Sequence, residues 1–330
     1  MPSGSLRLLA LVGGALFLVL APVAAAEDVV VGFWNVQNLF DEFSDGGHPK
    51  QPVPSPEQLT TKLANRARVV KDLNADILGF AEVENRRVLR RLVEEPTLRD
   101  LGYKYYVLLD ERDERGIDVA LISKRPFLAQ SFDIPNFYRG ILACRFVIGG
   151  QPLYVTVNHW KSRAIQGKLA TAAVRMECSK RLLDLVTKEI PALEPGNKPA
   201  VVAMGDLNDE DDDASVANLE QSGLVNVFRA VPPEKRWSLA FDNRDEKRIE
   251  RDHFDHLFIS PELKSQAAIR YVEGSAEVFR RDYLIRRRRL YGDWVDWPAD
   301  DYGKVIGFSD HFPVRMTLRV DDKPTSGTTR

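Results

Sequence analysis

Of the 330 residues only two are cysteine and five are histidine. With Cys144 and Cys178 alone, a disulfide-dense scaffold and a thiolate metal cluster are both excluded. The pair leaves two alternatives open: one bridge in an oxidising compartment, or two small buried hydrophobes in a strand and a helix. A surplus of one charge is also missing, with 46 Lys and Arg against 48 Asp and Glu. A protein that coats nucleic acid through a general positive field is therefore excluded, and any phosphate recognition has to be local. No internal repeat and no long linker interrupts the chain, so one large domain is expected.

Long apolar runs are absent except at the start. Arg7 precedes an apolar stretch from Leu8 to Leu20, and Ala24, Ala25 and Ala26 then stand before Glu27. This is the pattern of a cleaved secretory signal over residues 1–26, and the run is short for a membrane span, with an anchor as the alternative. The expectation is an exported protein, periplasmic or extracellular, monomeric and without stable membrane insertion. Residues 27–320 form its domain, and residues 321–330 read as a disordered tail of polar, Gly, Pro, Ser and Thr residues.

What is present is an alternation of strands and helices. Val29 to Trp34 and Ile77 to Val83 are apolar, β-prone runs. Ser55, Pro56 and Gln58 make a capping box for a helix whose Leu59, Leu63, Ala67 and Val70 share one face. A second helix covers Arg86 to Val93, and a long one runs from Lys168 to Ile190, closed by Pro191. Further strands are expected at Tyr105 to Leu109, Ile117 to Ser123, Ile141 to Ile148, Leu153 to Val157, Ala200 to Met204, His256 to Ile259 and Arg315 to Val320. Gly149 and Gly150 mark a hairpin. Strand runs mixed with helices point to an α/β fold, sheet packed on sheet with helices outside.

Polar residues gather where these strands end. Asn35 follows the first strand, Glu82 lies in "GFAEVEN", and His159 ends "LYVTVNHW". Asp206 and Asn208 end "VVAMG", Asp255 opens "FDHLFIS", and Asp310 and His311 precede the last strand in "FSDHFPVRM". Each alone is commonly a turn former, a solvated strand end or a packed histidine. Together, acids, amides and two histidines on a rigid scaffold fit metal-assisted attack of water on a phosphorus ester. Hard oxygen ligands such as Glu82 and Asp310, without a Cys or His cluster at zinc spacing, suit Mg²⁺, with Mn²⁺ or Ca²⁺ as alternatives. A histidine near its ordinary pKa moves protons at neutral pH, and Asp255 is the candidate partner that orients His311.

At these residues the sequence resembles the endonuclease/exonuclease/phosphatase superfamily, the DNase I-like fold. The motifs "WNVQNLF", "FAEVEN", "VNHWKSR", "GDLND", "FDHLFIS" and "SDHFPV" follow the family's order over nearly the whole chain after residue 26. The resemblance implies a four-layer α/β sandwich of two mixed sheets with helices on the outer faces. It implies Glu82 as principal metal ligand, assisted by Asn35 and Asp310. His311 with Asp255 matches the family's catalytic histidine, and His159 its other histidine, which contacts phosphate. Asp206 and Asn208 match the pair that positions nucleophile and phosphate. Gln37 stands where some members carry an acid, so a second metal is not implied. Tyr106 and Glu111 are the candidates for the residues that family nucleases supply from the middle strands.

Lys161 and Arg163 are candidate phosphate grips just beyond His159, with solvated loop charges as the alternative. The acidic run Asp209 to Asp213 reads as a cap for the helix near Ser215 rather than a second cation site. The segment "RRDYLIRRRRLYGDWVDW" sets six arginines among Tyr283, Tyr291, Trp294 and Trp297. It fits a nucleic-acid grip, an anionic lipid headgroup, or an exposed basic face over the core. The expected function is an exported, metal-dependent nuclease with little sequence preference. A phosphomonoesterase or phospholipid-type phosphodiesterase is the alternative, and a non-catalytic phosphate-binding protein the third.

Overall fold

Two mixed β-sheets, packed face to face and flanked by helices, make up the protein in a computed structural model. The structure describes residues 26–44, 53–111, 113–164, 166–244, 246–265, 268–301 and 306–321. The expected signal segment 1–26 and tail 321–330 lie outside these residues, apart from one residue of each. The first sheet runs, edge to edge, through Ile269–Tyr271, Val314–Val320, Glu27–Leu39, Ile77–Val83, Asp118–Ser123 and Tyr105–Leu109. The second runs through Leu128–Phe132, Ile141–Ile148, Gln151–His159, Ala200–Asp206, Asp255–Ile259 and Val225–Asn226.

Each sheet has a parallel pair at its centre, Glu27–Leu39 with Ile77–Val83 and Gln151–His159 with Ala200–Asp206. Central strands covered on both faces read as unbroken apolar runs, and every residue of Ala200–Asp206 is buried. The two sheets meet closely: a Cβ on Gly79 would stand 2.5 Å from Met204 Cε and 3.1 Å from a Val157 methyl. The core between them holds Phe33, Leu121, Val155, Val157 and Met204, among others, while Leu78 faces outward toward the helix residue Leu73.

The expected capping box opens the helix Pro56–Leu73, Ser55 accepting from the Gln58 backbone and Gln58 returning the bond. Leu59, Leu63, Ala67 and Val70 are its buried stripe. The long helix differs from its expected end. Lys168–Asp184 is α-helical, Leu185–Glu189 widens to a π turn, and Ile190–Leu193 completes it beyond Pro191. In the π turn Ile190 N–H reaches back to Leu185 O, so the chain passes Pro191 instead of stopping there.

Cys144 and Cys178 are both buried and unbonded, one in the core between the sheets and the other in the core beneath the second sheet. The disulfide alternative does not hold. Among the elements unread in the sequence are the strand Leu128–Phe132, the short edge strands Val225–Asn226 and Ile269–Tyr271, and two hairpins, Leu239–Asn243 with Arg248–Asp252, and Ile285–Leu290 with Asp293–Pro298. Both hairpins stand at the mouth of the site.

Candidate active site

The parallel pairs of both sheets end on the same side, and irregular backbone there turns side chains into a common pocket. The register between Glu27–Leu39 and Ile77–Val83 shifts between Asn35 and Leu39, and that between Ile77–Val83 and Asp118–Ser123 shifts between Phe80 and Val83. Inside these bulges Gln37, Asn38 and Glu82 adopt φ of 51°, 50° and 66°, and Asn208 at the facing strand end adopts 52°. A left-handed glutamate costs about 1–3 kcal/mol of backbone strain and persists only where its surroundings fix it. Here Asn38 N–H donates to Glu82 Oε2 at 2.9 Å.

Asp206 stands at the centre. Asn35 Nδ2 donates to its Oδ2 at 3.0 Å, and Asn208 N–H to its Oδ1 at 3.0 Å. His159 Nε2 lies 3.7 Å and His311 Nε2 3.9 Å from Asp206 Oδ2. His159 Nε2 is also 3.9 Å from Glu82 Oε1. His311 Nδ1 is 2.7 Å from the fully buried Asp255, whose backbone N–H is itself held by the Ser238 hydroxyl. Asn208 Nδ2 donates to Trp160 O, and Ser309 Oγ to Asn35 O, which ties the loops together. Beneath them the buried Arg66 donates to Gly307 O and Val36 O, and Arg139 to Trp160 O.

The electrostatics follow from burial and crowding. Burial pushes Asp206 up to about 7, against the pull of His311, and the charges of Asp255 and Glu82 add to the rise. Burial likewise lifts Asp310 to about 6, with Glu82 adding to it. Burial opposes a charge on His311, yet Asp255, Asp206 and Asp310 hold it well above its ordinary value. His159 is held well below, first by burial and then by Arg139 and Arg115. Acids lifted toward protonation by burial, with neighbouring carboxylates adding, are short of positive charge, and oxygen donors on Glu82, Asp310 and Asn35 are the ligand type a hard divalent cation takes. The residues therefore fit a Mg²⁺-like ion.

Glu82, His159, Asp206, Asn208, Asp310 and His311 line a pocket of about 710 Å³, with Asn35 behind Asp206 and Asp255 behind His311. Arg163 also lines it, but its guanidinium is bound to Asp252 at 2.7 Å and lies over the Phe254 ring. Lys161 is not among the pocket's residues, and its Nζ stands 3.4 Å from Tyr138 Oη. Arg115, unread in the sequence, enters the pocket 4.0 Å from Glu82 Oε2 while donating to Asn38 Oδ1 at 2.6 Å. The two hairpins and the acidic loop add Phe241, Glu250, Asp252, Trp297 and Glu210 to the wall. Only the short-range alternation of those strands was available to signal them, and it is weak in both. The loop 209–213 is divided: Asp213 precedes the helix Ala214–Gln221 without a side-chain cap, Asp209 binds Arg175 and Ser215, and Asp211 meets His253.

A fold of two mixed sheets with this site at its strand ends defines a DNase I-like phosphoesterase. The model of the endonuclease/exonuclease/phosphatase family matches residues 30–320, and the chain belongs to that family. TDP2 of D. rerio, in complex with a single-strand DNA product, is a structural neighbour at 18% identity, covering 88% of this chain and 98% of its own, with a TM-score of 0.57. A mannosyl-6-phosphatase of Bacteroides thetaiotaomicron covers 88% and 99% at 17% identity, TM-score 0.57. Beta toxin of Staphylococcus aureus covers 87% and 99% at 15% identity, TM-score 0.55. At these identities the likeness is one of fold. No curated protein matches the sequence.

Proposed function

We propose that the chain is a divalent-metal-dependent hydrolase of a compact phosphate ester. The observation that carries the substrate size is the pocket itself, a 710 Å³ hollow walled by the aromatic rings of Phe241, Phe254 and Trp297. A volume of that order suits a ligand of tens of atoms. Its wall sets seven acids (Glu82, Asp206, Glu210, Glu250, Asp252, Asp300 and Asp310) against Arg115, Arg163 and Lys168. A polyanion gains little from such a surface.

Glu82 and Asp310, with Asn35, would hold the cation, which supplies charge for the phosphoryl oxygens and the leaving oxygen. Asp206, fixed by Asn35 and Asn208, orients the attacking water. His311, kept protonated by Asp255, presents Nε2–H to the phosphoryl group, and Arg115 offers a further cation to its oxygens. His159, neutral and facing Asp206, contacts the same group. Export follows from the Ala24–Ala26 pattern after the apolar run, so the enzyme acts outside the cytoplasm.

A nuclease is the second reading, and one observation favours it. Arg287, Arg289 and Trp294 are exposed on one face of the Ile285–Leu290 hairpin, a grouping that suits phosphate contact and base stacking. Arg287 is paired there with Asp296 at 3.5 Å, and further arginines of that segment are engaged, Arg286 with Asp300, Arg288 over Trp297 and Arg280 over Trp237.

The test incubates chain from Glu27 onward with Mg²⁺ and two substrate sets, closed circular DNA and a panel of sugar, choline and nucleoside phosphoesters. A chelator and His311→Ala serve as controls. Metal- and His311-dependent release of phosphate or alcohol from the panel, with circles intact, is the expected result. Nicked circles would transfer the assignment to the nuclease, and inertness toward both sets would sink the hydrolase.

A further inference from the structure

On the far side of the acidic loop, three buried side chains converge that the phosphoester chemistry leaves unused: Asp211, His253 and His256. One donor atom from each lies within 4.8 Å of the other two. Asp211 Oδ1 is 3.2 Å from His253 Nδ1 and 3.9 Å from His256 Nδ1. Donors bound about 2.0–2.2 Å from one tetrahedral ion stand roughly 3.3–3.6 Å apart, so the two edges at Asp211 need only a few tenths of an ångström of adjustment. The geometry points to a second cation site, structural in role and of the Zn²⁺ type, separate from the centre at Glu82.

The ligand chemistry supports this assignment. His256 Nε2 lies 2.9 Å from the backbone carbonyl of Asp209, and as donor there it leaves Nδ1 as the lone-pair nitrogen toward Asp211. A metal-binding imidazole is oriented in the same way, its second nitrogen donating to a carbonyl. Two imidazoles and one carboxylate suit Zn²⁺, whereas Mg²⁺ prefers an all-oxygen shell.

Hydrogen bonds hold the trio together without an ion. Asn226 Nδ2 donates to Asp211 Oδ1 at 2.9 Å and lies 3.3 Å from His256 Nδ1, and Arg236 Nε takes Asp211 Oδ2 at 2.9 Å. His253 Nε2 has no hydrogen-bond partner, so the ring proton sits on Nδ1 toward Asp211 and moves to Nε2 when Nδ1 takes the ion. An ion replaces the two Asn226 contacts and leaves the Arg236 contact on the outer oxygen. Entry is open, because Asp211 and His253 line a cleft of about 360 Å³. The consequence is mechanical: the ion would pin the loop that follows Asp206 and Asn208 to the strand that begins at Asp255, holding three site residues in register.

The test uses full-length mature chain stripped with a strong chelator and titrated with Zn²⁺, followed by Co²⁺ for its visible spectrum. The expected result is uptake of one Zn²⁺ per chain, a rise of several degrees in unfolding temperature, and tetrahedral Co²⁺ bands. His253→Ala and Asp211→Asn should each lower affinity at least tenfold, while Glu82→Gln leaves it unchanged. Should His253→Ala fail to fold, His253→Gln and the wild-type Co²⁺ spectrum carry the decision. No uptake by the folded, stripped protein would overturn the site and leave a hydrogen-bonded clamp. So would uptake that Glu82→Gln abolishes and Asp211→Asn spares.

Discussion

Removing the charge of Glu82 should reverse sign with the metal, and the reversal tests the candidate centre without knowledge of the substrate. In the absence of a cation Glu82 raises both Asp206 and Asp310, so it sits among acids that repel it. Glu82→Gln relieves that repulsion and keeps an oxygen for the Asn38 N–H at 2.9 Å, though without the charge that strengthens the bond. A charge-assisted hydrogen bond contributes about 1.5–3 kcal/mol and a neutral one about 1, so the loss is about 1 kcal/mol and the relief offsets it. In chelator the variant should unfold within a degree or two of the wild type. With Mg²⁺ at about 100 times its dissociation constant the wild type gains about 2.7 kcal/mol. A chain of a few hundred residues moves about 2–4 °C per kcal/mol, which makes the rise roughly 5–10 °C. The variant should show little of that rise. Thermal unfolding followed by circular dichroism, with MgCl₂ titrated into chelator-treated protein, gives both numbers. Equal Mg²⁺ shifts in the two proteins, or none in the wild type, would refute the placement of the ion at Glu82.

Asp255→Asn keeps the shape around His311 Nδ1 but removes the charge, and hydrolysis should fall by about 10²–10⁴ with the unfolding temperature little changed; a variant within twofold of wild type would separate Asp255 from the chemistry. Asp118 supplies a pH dependence away from the site. Burial, with Glu111, Asp110 and Asp113 adding, lifts it from 3.8 to about 8, so the folded state holds its proton more tightly than the unfolded chain. Its contribution is complete below about pH 4 and is lost as pH rises to about 8, on the order of a few kcal/mol. Asp118→Asn should therefore match the wild type in urea unfolding at pH 4.5 and exceed it at pH 9, and a constant difference across that range would disprove the burial argument. Gly205→Ala places a methyl 2.3 Å from the carbonyl oxygen of Asn158, backbone of the neighbouring parallel strand that cannot step aside. It should cost about 1–3 kcal/mol or more in denaturant midpoint and impair the adjacent Asp206; a wild-type midpoint would falsify the contact.

Much of this was legible in sequence because it depends on short-range order. The capping box at Ser55 and the stripe Leu59, Leu63, Ala67 and Val70 follow from helical period, and the apolar run Val201 to Met204 from burial on two faces. The candidate site residues stand out as a set in the sequence because they lie at or near strand ends, where an acid or amide interrupts an apolar run. Local reading failed where partners are distant. Pro191 looked like a stop, and only the π turn before it carries the helix on. Arg163 looked like a free cation, and its partner Asp252 comes from a hairpin 89 residues away.

The sequence by itself determined the strand ends, the polar groups on them and their order along the chain, since these rest on periodicity and residue chemistry. Tertiary structure decided which acids crowd one another, and hence that Asp206 and Asp310 are lifted while His311 holds its proton. It also decided that Asp211 meets His253 and His256 across more than forty residues. Electrostatic shifts and ligand triangles depend on distances in space, and a linear chain records only separations along itself.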